Sequence, residues 1–324
     1  MPSDDILASI AERTGFLPSF FELEPIDDFP LGSLIYRGRM SLTARDQAQA
    51  YQYSRVMFEH VKTMAGHLNI PPLRLPRLAE NPIVAARATR VAFGLSPDSP
   101  IKDLTHTIEK HGVFVLALPI VLKRLDAFST WAEADTERPI IAVSSGKSGD
   151  RLRFSIAHEL GHLVMHQSIR GRMTAVEKEA DRFAAEFLLP EMAMRREIVP
   201  PVTLTAVAKL KPRWGVSMQA VIRKSHELGI ITGRQYRYLF EQLSSRGWRT
   251  REPSNLDIPV EKPQVFLKMI EQLYDGCDTV ASYAKDMHLT IQRAMELVNS
   301  HIDRGKALFE NYTVSPTQRN YSRN

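Results

Sequence analysis

The chain has 324 residues, 44% hydrophobic and 24% charged, which excludes a disordered or fibrous protein and leaves length for two or three domains. Its net charge of +5 and pI near 9.2 are too modest to mark a nucleic-acid binder without a localised patch. Cys277 is the only cysteine, so no internal disulfide can form; the acidic start MPSDDILASIAERTG and the short longest apolar run, VFVLALPIVL at 113–122, lead us to expect a cytoplasmic protein with no membrane partner.

The segment ILASIAERTGFLPSFFE predicts a short helix ending at Gly15 and Pro18, with an acidic, proline-containing linker to about residue 30. Residues 42–68 carry apolar and aromatic side chains at helical spacing and predict a long helix. Four prolines in NIPPLRLPRLAENP predict a linker over 69–82. Helices follow over 82–94 and 100–111, the second stopped by Gly112. VFVLAL (113–118), LDAFSTWAE (125–133) and PIIAVSS (139–145) have the β-branched and aromatic texture of strands. The turn SGKSGD (145–150) leads into a helix, and another is expected over 174–188, stopped by Pro190. From 204 the pattern is helical again, ending in a polar tail, NYTVSPTQRNYSRN, expected to fray. The fold class is therefore α+β and mainly helical. We expect a helical region over 1–80, a core over 81–200 in which a small three-stranded sheet packs on one central helix, and a helical, helix-turn-helix-like region over 201–324.

That central helix reads RFSIAHELGHLVMH and contains His158-Glu159-Leu160-Gly161-His162. Imidazoles at i and i+4 lie on one helix face about 6 Å apart along the axis, so both can converge on one zinc ion. Glu159 lies about 100° round the helix, where its carboxylate reaches water beside the ion and can act as the catalytic base. His166 sits two turns, about 12 Å, from His158, too far to share that ion on a straight helix. We read it as a histidine at the helix end, favoured by the dipole.

VEKEADRFAAEF offers a third ligand. Glu177 and Asp181 are i, i+4 and share a face; Glu179 points nearly opposite, and Glu186 is a further alternative. Small residues at Ala180, Ala184 and Ala185 would let this helix approach the first. Glu177 then completes a two-histidine, one-glutamate set with an open fourth position, and Asp181 accepts from the far ring nitrogen of a ligand histidine, most simply His158. A solvated surface helix is the plainer alternative for 174–188. The oxyanion of such chemistry needs a donor, for which His226, Tyr236 and Arg153 are candidates. An edge strand at 125–133 or 139–145 could hold an extended peptide.

GDRLRFSIAHELGHLVMH followed by EKEADRFAAEFLLP resembles the ImmA/IrrE family of metallo-endopeptidases. The resemblance implies His158, His162 and Glu177 as zinc ligands, Glu159 as the catalytic glutamate, and a gluzincin-like core. It also implies a protein substrate, a transcriptional repressor of the XRE type. ILASIAERTGFLPSFFE is similar to the last helix of the XRE-type helix-turn-helix often fused ahead of this protease. The DNA-reading helices of such a domain do not occur in this sequence, so a repressor role through them is not expected.

Residues 190–252 hold twelve Lys/Arg against five Asp/Glu. LTAVAKLKPRWGVSMQAVIRKSHELG (204–229) resembles a helix-turn-helix in which Met218, Gln219, Arg223 and Lys224 would lie near the groove-facing side, making DNA a partner to consider through 204–252. A protein-docking or structural module is the alternative. Trp214 and Trp248 read as packing anchors. A regulator or toxin–antitoxin component with a structural, sensory or vestigial metal is the alternative to an enzyme. An intact Glu159 favours the enzyme, because a structural site needs no base there.

Overall fold

The computed structural model describes residues 3–24, 43–78, 81–131, 138–166, 173–274 and 278–302. The expectations placed on the 25–30 linker, on Cys277 and on the polar tail lie outside them. Thirteen α-helices and three strands occur among the described residues. They are α1 Asp4–Thr14, α2 Ala44–Ala65, α3 Pro82–Ala92, α4 Leu104–Lys110, β1 Phe114–Leu118, β2 Ala127–Trp131, β3 Pro139–Ser144, α5 Gly149–Met165 and α6 Met173–Leu188. The chain continues with α7 Glu191–Glu197, α8 Leu204–Trp214, α9 Met218–Glu227, α10 Gly233–Ser245, α11 Val265–Leu273, α12 Thr279–Asp286 and α13 Ile291–Ser300. None of the helices described is long and apolar enough to cross a membrane.

The sheet has the order β1-β3-β2. β1 runs parallel to β3, with Phe114 opposite Ile140, and β2 runs antiparallel to β3, with Ala127 opposite Val143. Successive strand side chains point to opposite faces. Val115, Ala117, Ala127, Ile141 and Val143 therefore join one core with residues of α3 to α10. Phe114, Leu116, Leu118, Phe128, Ile140 and Ala142 join a second core with α2 and α11 to α13. Both faces are covered, which is why β1 and β3 are nearly continuous apolar runs. The outer edge of β1 is closed by side chains: Ala117 N–H donates to His301 Nε2 at 3.0 Å, and Ser300 Oγ donates to the Ala117 carbonyl at 2.7 Å.

Two carboxylates, the buried Glu109 and the part-buried Glu261, fasten the halves of the molecule to each other. Glu109 of α4 accepts from the Gln264 and Val265 amides (2.9 and 3.1 Å) that open α11. Glu261, just before α11, accepts from the Thr105 amide at 2.9 Å in the first turn of α4 and pairs with Arg153 of α5. Each meets orphan N–H groups at a helix start.

Several sequence expectations change. The helix expected over 174–188 does stop at Leu188, ahead of Pro190, but Pro190 is also the N-cap of a further helix, α7, since its fixed φ is compatible with a helix start. The proline-rich stretch 69–78 is packed rather than loose: Arg74 and Leu78 amides donate to the His111 and Val164 carbonyls, both at 2.9 Å, and Leu75 is buried. The segment 139–145 holds β3, Pro139–Ser144, which is the central strand and not an edge, because the β1–β2–β3 path returns β3 between the other two.

The hairpin α8–α9 turns its supposed reading side inward. Met218 is fully buried, and Lys224, 2% exposed, pairs with the equally buried Glu186 at 2.8 Å. Gln219 donates to the Arg249 carbonyl at 3.0 Å. Of the four residues assigned to a groove, Arg223 alone is exposed. The amphipathic pattern was genuine, but its face belongs to the core.

Candidate metal centre

α5 is buried on nearly all sides: along it only Arg151 and Phe154 keep appreciable exposure. Asp150 lies in its first turn, pairs with the buried Lys211 of α8 and accepts from the Arg151 amide at 2.9 Å, which anchors the helix start. A Cβ at Gly149 would overlap the carbonyl oxygens of Ile258 and Pro259, so only glycine lets that segment cross there. Farther along, a Cβ at Gly161 would sit 3.0–3.2 Å from the Phe183 side chain of α6. Gly161, with the fully buried Ala180 and Ala184 opposite, brings the two helices close.

That approach gathers His158, His162 and Glu177. His158 Nε2 and His162 Nε2 are 3.0 Å apart, Glu177 Oε2 is 3.5 Å from the first, and Glu177 Oε1 is 3.3 Å from the second. Both imidazoles are 4% exposed, whereas the Glu177 side chain is 27% exposed. Burial alone would raise the Glu177 pKa. Were the His158 and His162 rings protonated, their attraction would outweigh it and hold the carboxyl well below the usual range.

The three donors fit a zinc ion. Bonds of about 2.0–2.1 Å in a tetrahedral site place ligand atoms about 3.3 Å apart, the spacing found here. His158 Nδ1 is 2.8 Å from Asp181 Oδ1, so that nitrogen carries the ring proton and Nε2 presents a lone pair. Two such lone pairs 3.0 Å apart repel unless a cation or a proton lies between them. Glu177 Oε1 is also buried and accepts no hydrogen bond of good geometry, an orphan that a cation would satisfy.

Glu159 lies wholly inside, 0% exposed, on the side of α5 facing β2. Ser129, on the same strand face as Ala127, donates from Oγ to Glu159 Oε2 at 2.8 Å. Trp131, two residues on, donates from Nε1 to the Leu163 carbonyl at 3.2 Å. β2 is thus fastened along α5 by alternate side chains, and one of them holds the glutamate.

The remaining sequence candidates fall elsewhere. Arg153 is 3% exposed and bound to Glu261 and, at 2.7 Å, to the Ile101 carbonyl, so it is not a free oxyanion donor. His226 and Tyr236 pack against each other between α9 and α10, tilted, with ring centroids 4.7 Å apart. Glu186 pairs with Lys224 and Arg87. Ser129, His166 and Glu179 belong to the neighbourhood of the site although sequence reasoning gave them no part in it. His166 Nδ1 lies 3.0 Å from His162 Nδ1, and its Nε2 lies 2.9 Å from Glu179 Oε2. A small polar residue on the inward face of an apolar strand, and a histidine one turn beyond His162, were the available signals.

No curated protein matches this chain. The family model described as IrrE N-terminal-like domain, Peptidase_M78, matches residues 108–226, a span that holds all three strands, α5 and α6. The match over this segment supports a relationship to the Peptidase_M78, ImmA/IrrE-type family of metallopeptidases.

Proposed function

We propose that the chain is a cytoplasmic zinc endopeptidase whose metal ligands are His158, His162 and Glu177, whose catalytic base is Glu159, and whose substrate is a transcriptional repressor of the XRE type. The observation that carries this reading is the convergence of two imidazole nitrogens and a carboxylate at 3.0–3.5 Å with a buried glutamate next to the first ligand. When bound, zinc supplies Lewis-acid polarisation of a carbonyl and acidifies water at the site.

The chain's own residues supply the rest. Asp181 holds the His158 ring in the tautomer that presents Nε2. Glu159 takes a proton from the attacking water and returns it to the leaving amine. The Ser129 hydroxyl on Oε2 restricts the rotation of that carboxylate, so the base is oriented before substrate arrives. An extended peptide adds to the edge of β2, the strand that carries Ser129. The repressor as substrate rests on the family resemblance and not on the site.

Zinc content and cleavage of an XRE-type repressor, measured for the native chain and for Glu159→Gln, test the reading. Retained zinc with cleavage lost supports it. Full cleavage by the glutamine variant removes Glu159 as the base and, with it, the enzyme assignment.

A further inference from the structure

We infer that His166 and Glu179 are positioning residues of the metal centre, acting in series to fix the ring of His162. The inference rests on the zinc reading above and extends it to two residues outside the ligand set.

Proton placement carries the argument. For His162 Nε2 to face Glu177 and His158 with a lone pair, the single proton of a neutral ring must sit on Nδ1. That nitrogen is 3.0 Å from His166 Nδ1, which must therefore be the acceptor. The proton of His166 is then on Nε2, 2.9 Å from Glu179 Oε2, and an ionised carboxylate can only accept. Each donor in the row meets one acceptor. The opposite tautomer of His166 would set two N–H groups head to head and turn a lone pair towards an anion. Glu179 thus selects the His166 tautomer, and His166 selects that of His162.

His158 has the shorter equivalent, a direct bond from Nδ1 to Asp181 at 2.8 Å. Both carboxylates stand on α6, the helix that supplies Glu177. One helix therefore delivers an anionic ligand and anchors both ligand rings, one directly and one through an inserted imidazole. The inserted ring is the sheltered member: the His166 side chain is 10% exposed, whereas Asp181 is 60% exposed and Glu179 46%. A histidine that merely met the helix dipole would need no partner on α6 and would leave zinc binding indifferent to Glu179.

The test is zinc affinity of the purified full chain in competition with a chelator of known affinity, for the native protein, His166→Ala, His166→Gln and Glu179→Ala. Loss of such an outer partner weakens metal affinity by about 10–100-fold. We expect a loss of that size for His166→Ala and Glu179→Ala, with partial recovery in His166→Gln, whose side-chain oxygen can accept from His162. Melting of the metal-free protein should be unchanged in Glu179→Ala, because that side chain is half exposed. Long-range proton–nitrogen spectra of the imidazoles should show the His162 Nδ1–H form in the native chain and a mixture of tautomers in Glu179→Ala. Affinities within twofold of native for both alanine variants overturn the inference while leaving the metal centre standing. A native chain that binds no zinc removes the metal-centre reading itself, and this inference with it.

Discussion

Replacing Lys224 by methionine separates a structural lysine from a DNA-reading one. Lys224 Nζ is 2.8 Å from Glu186 Oε2, with side-chain exposures of 2% and 1%. Breaking a buried ion pair from one side costs about 3–5 kcal/mol, because the surviving charge stays in a medium that solvates it poorly. Two features reduce that figure here. Arg87 Nε also bonds Glu186 Oε1 at 2.8 Å, and methionine is close in volume to lysine, so no cavity opens. We therefore expect about 2–3 kcal/mol of destabilisation, read by urea unfolding at pH 7 with an unchanged m-value. Lys224→Met combined with Glu186→Leu removes both charges and should recover a large part of the loss. A single variant within 0.5 kcal/mol of native, or a double variant that loses the sum of both, would refute the reasoning. If the single variant were fully stable yet bound DNA more weakly, Lys224 would have to be exposed and α9 would be the reading helix after all.

Gly161→Ala sets a helix-propensity gain of about 1 kcal/mol against overpacking of about 1–3 kcal/mol. Phe183 is fully buried and stacked on Phe187, so it cannot yield; we expect net destabilisation of about 1 kcal/mol and weaker zinc retention, checked by denaturation and metal analysis. Burial holds the His301 imidazole down to about 4, below the unfolded value near 6.5, so its contribution is complete above pH 6.5 and fades as pH falls towards 4. Burial lifts the Glu109 carboxyl to about 7, which works in the opposite direction by removing stability as pH rises towards 7. The check is therefore a difference: the acid-side fall in stability between pH 6.5 and 5 should be about 2 kcal/mol smaller in His301→Gln than in the native chain, and equal slopes would contradict the buried neutral imidazole.

The helices flanking the metal centre were legible because periodicity and punctuation act locally. Gly15, at φ 76, ends α1 where the sequence placed the stop. The texture of all three strands was equally readable, but their order was not. Which strand is central depends on how the chain returns, and no pattern within PIIAVS encodes that. Proline told only part of the story: Pro190 follows the end of α6 as expected but also caps the start of α7, and Pro71, Pro72 and Pro76 mark an extended path without saying whether it is packed. The hairpin α8–α9 shows a further limit, since an amphipathic face announces that it is buried against something but not whether that is protein or DNA. At the site, the i, i+4 spacing of His158 and His162 and the face shared by Glu177 and Asp181 are properties of single helices. His166 was weighed as a ligand, by its distance from His158, and as a helix-end histidine, while its contact with its nearer neighbour was overlooked. The partners of Glu179 and Ser129 were out of reach of such reasoning. Their contacts depend on where α6 and β2 lie against α5.

X-ray absorption at the zinc edge of the full chain, native and Glu177→Ala, addresses the metal centre most directly. The account predicts one zinc per native chain with only nitrogen and oxygen neighbours at about 2.0–2.1 Å, including two imidazoles, and loss or rearrangement of that shell in the variant. A sulfur neighbour, no zinc after reconstitution, or a spectrum untouched by removing Glu177 would contradict it.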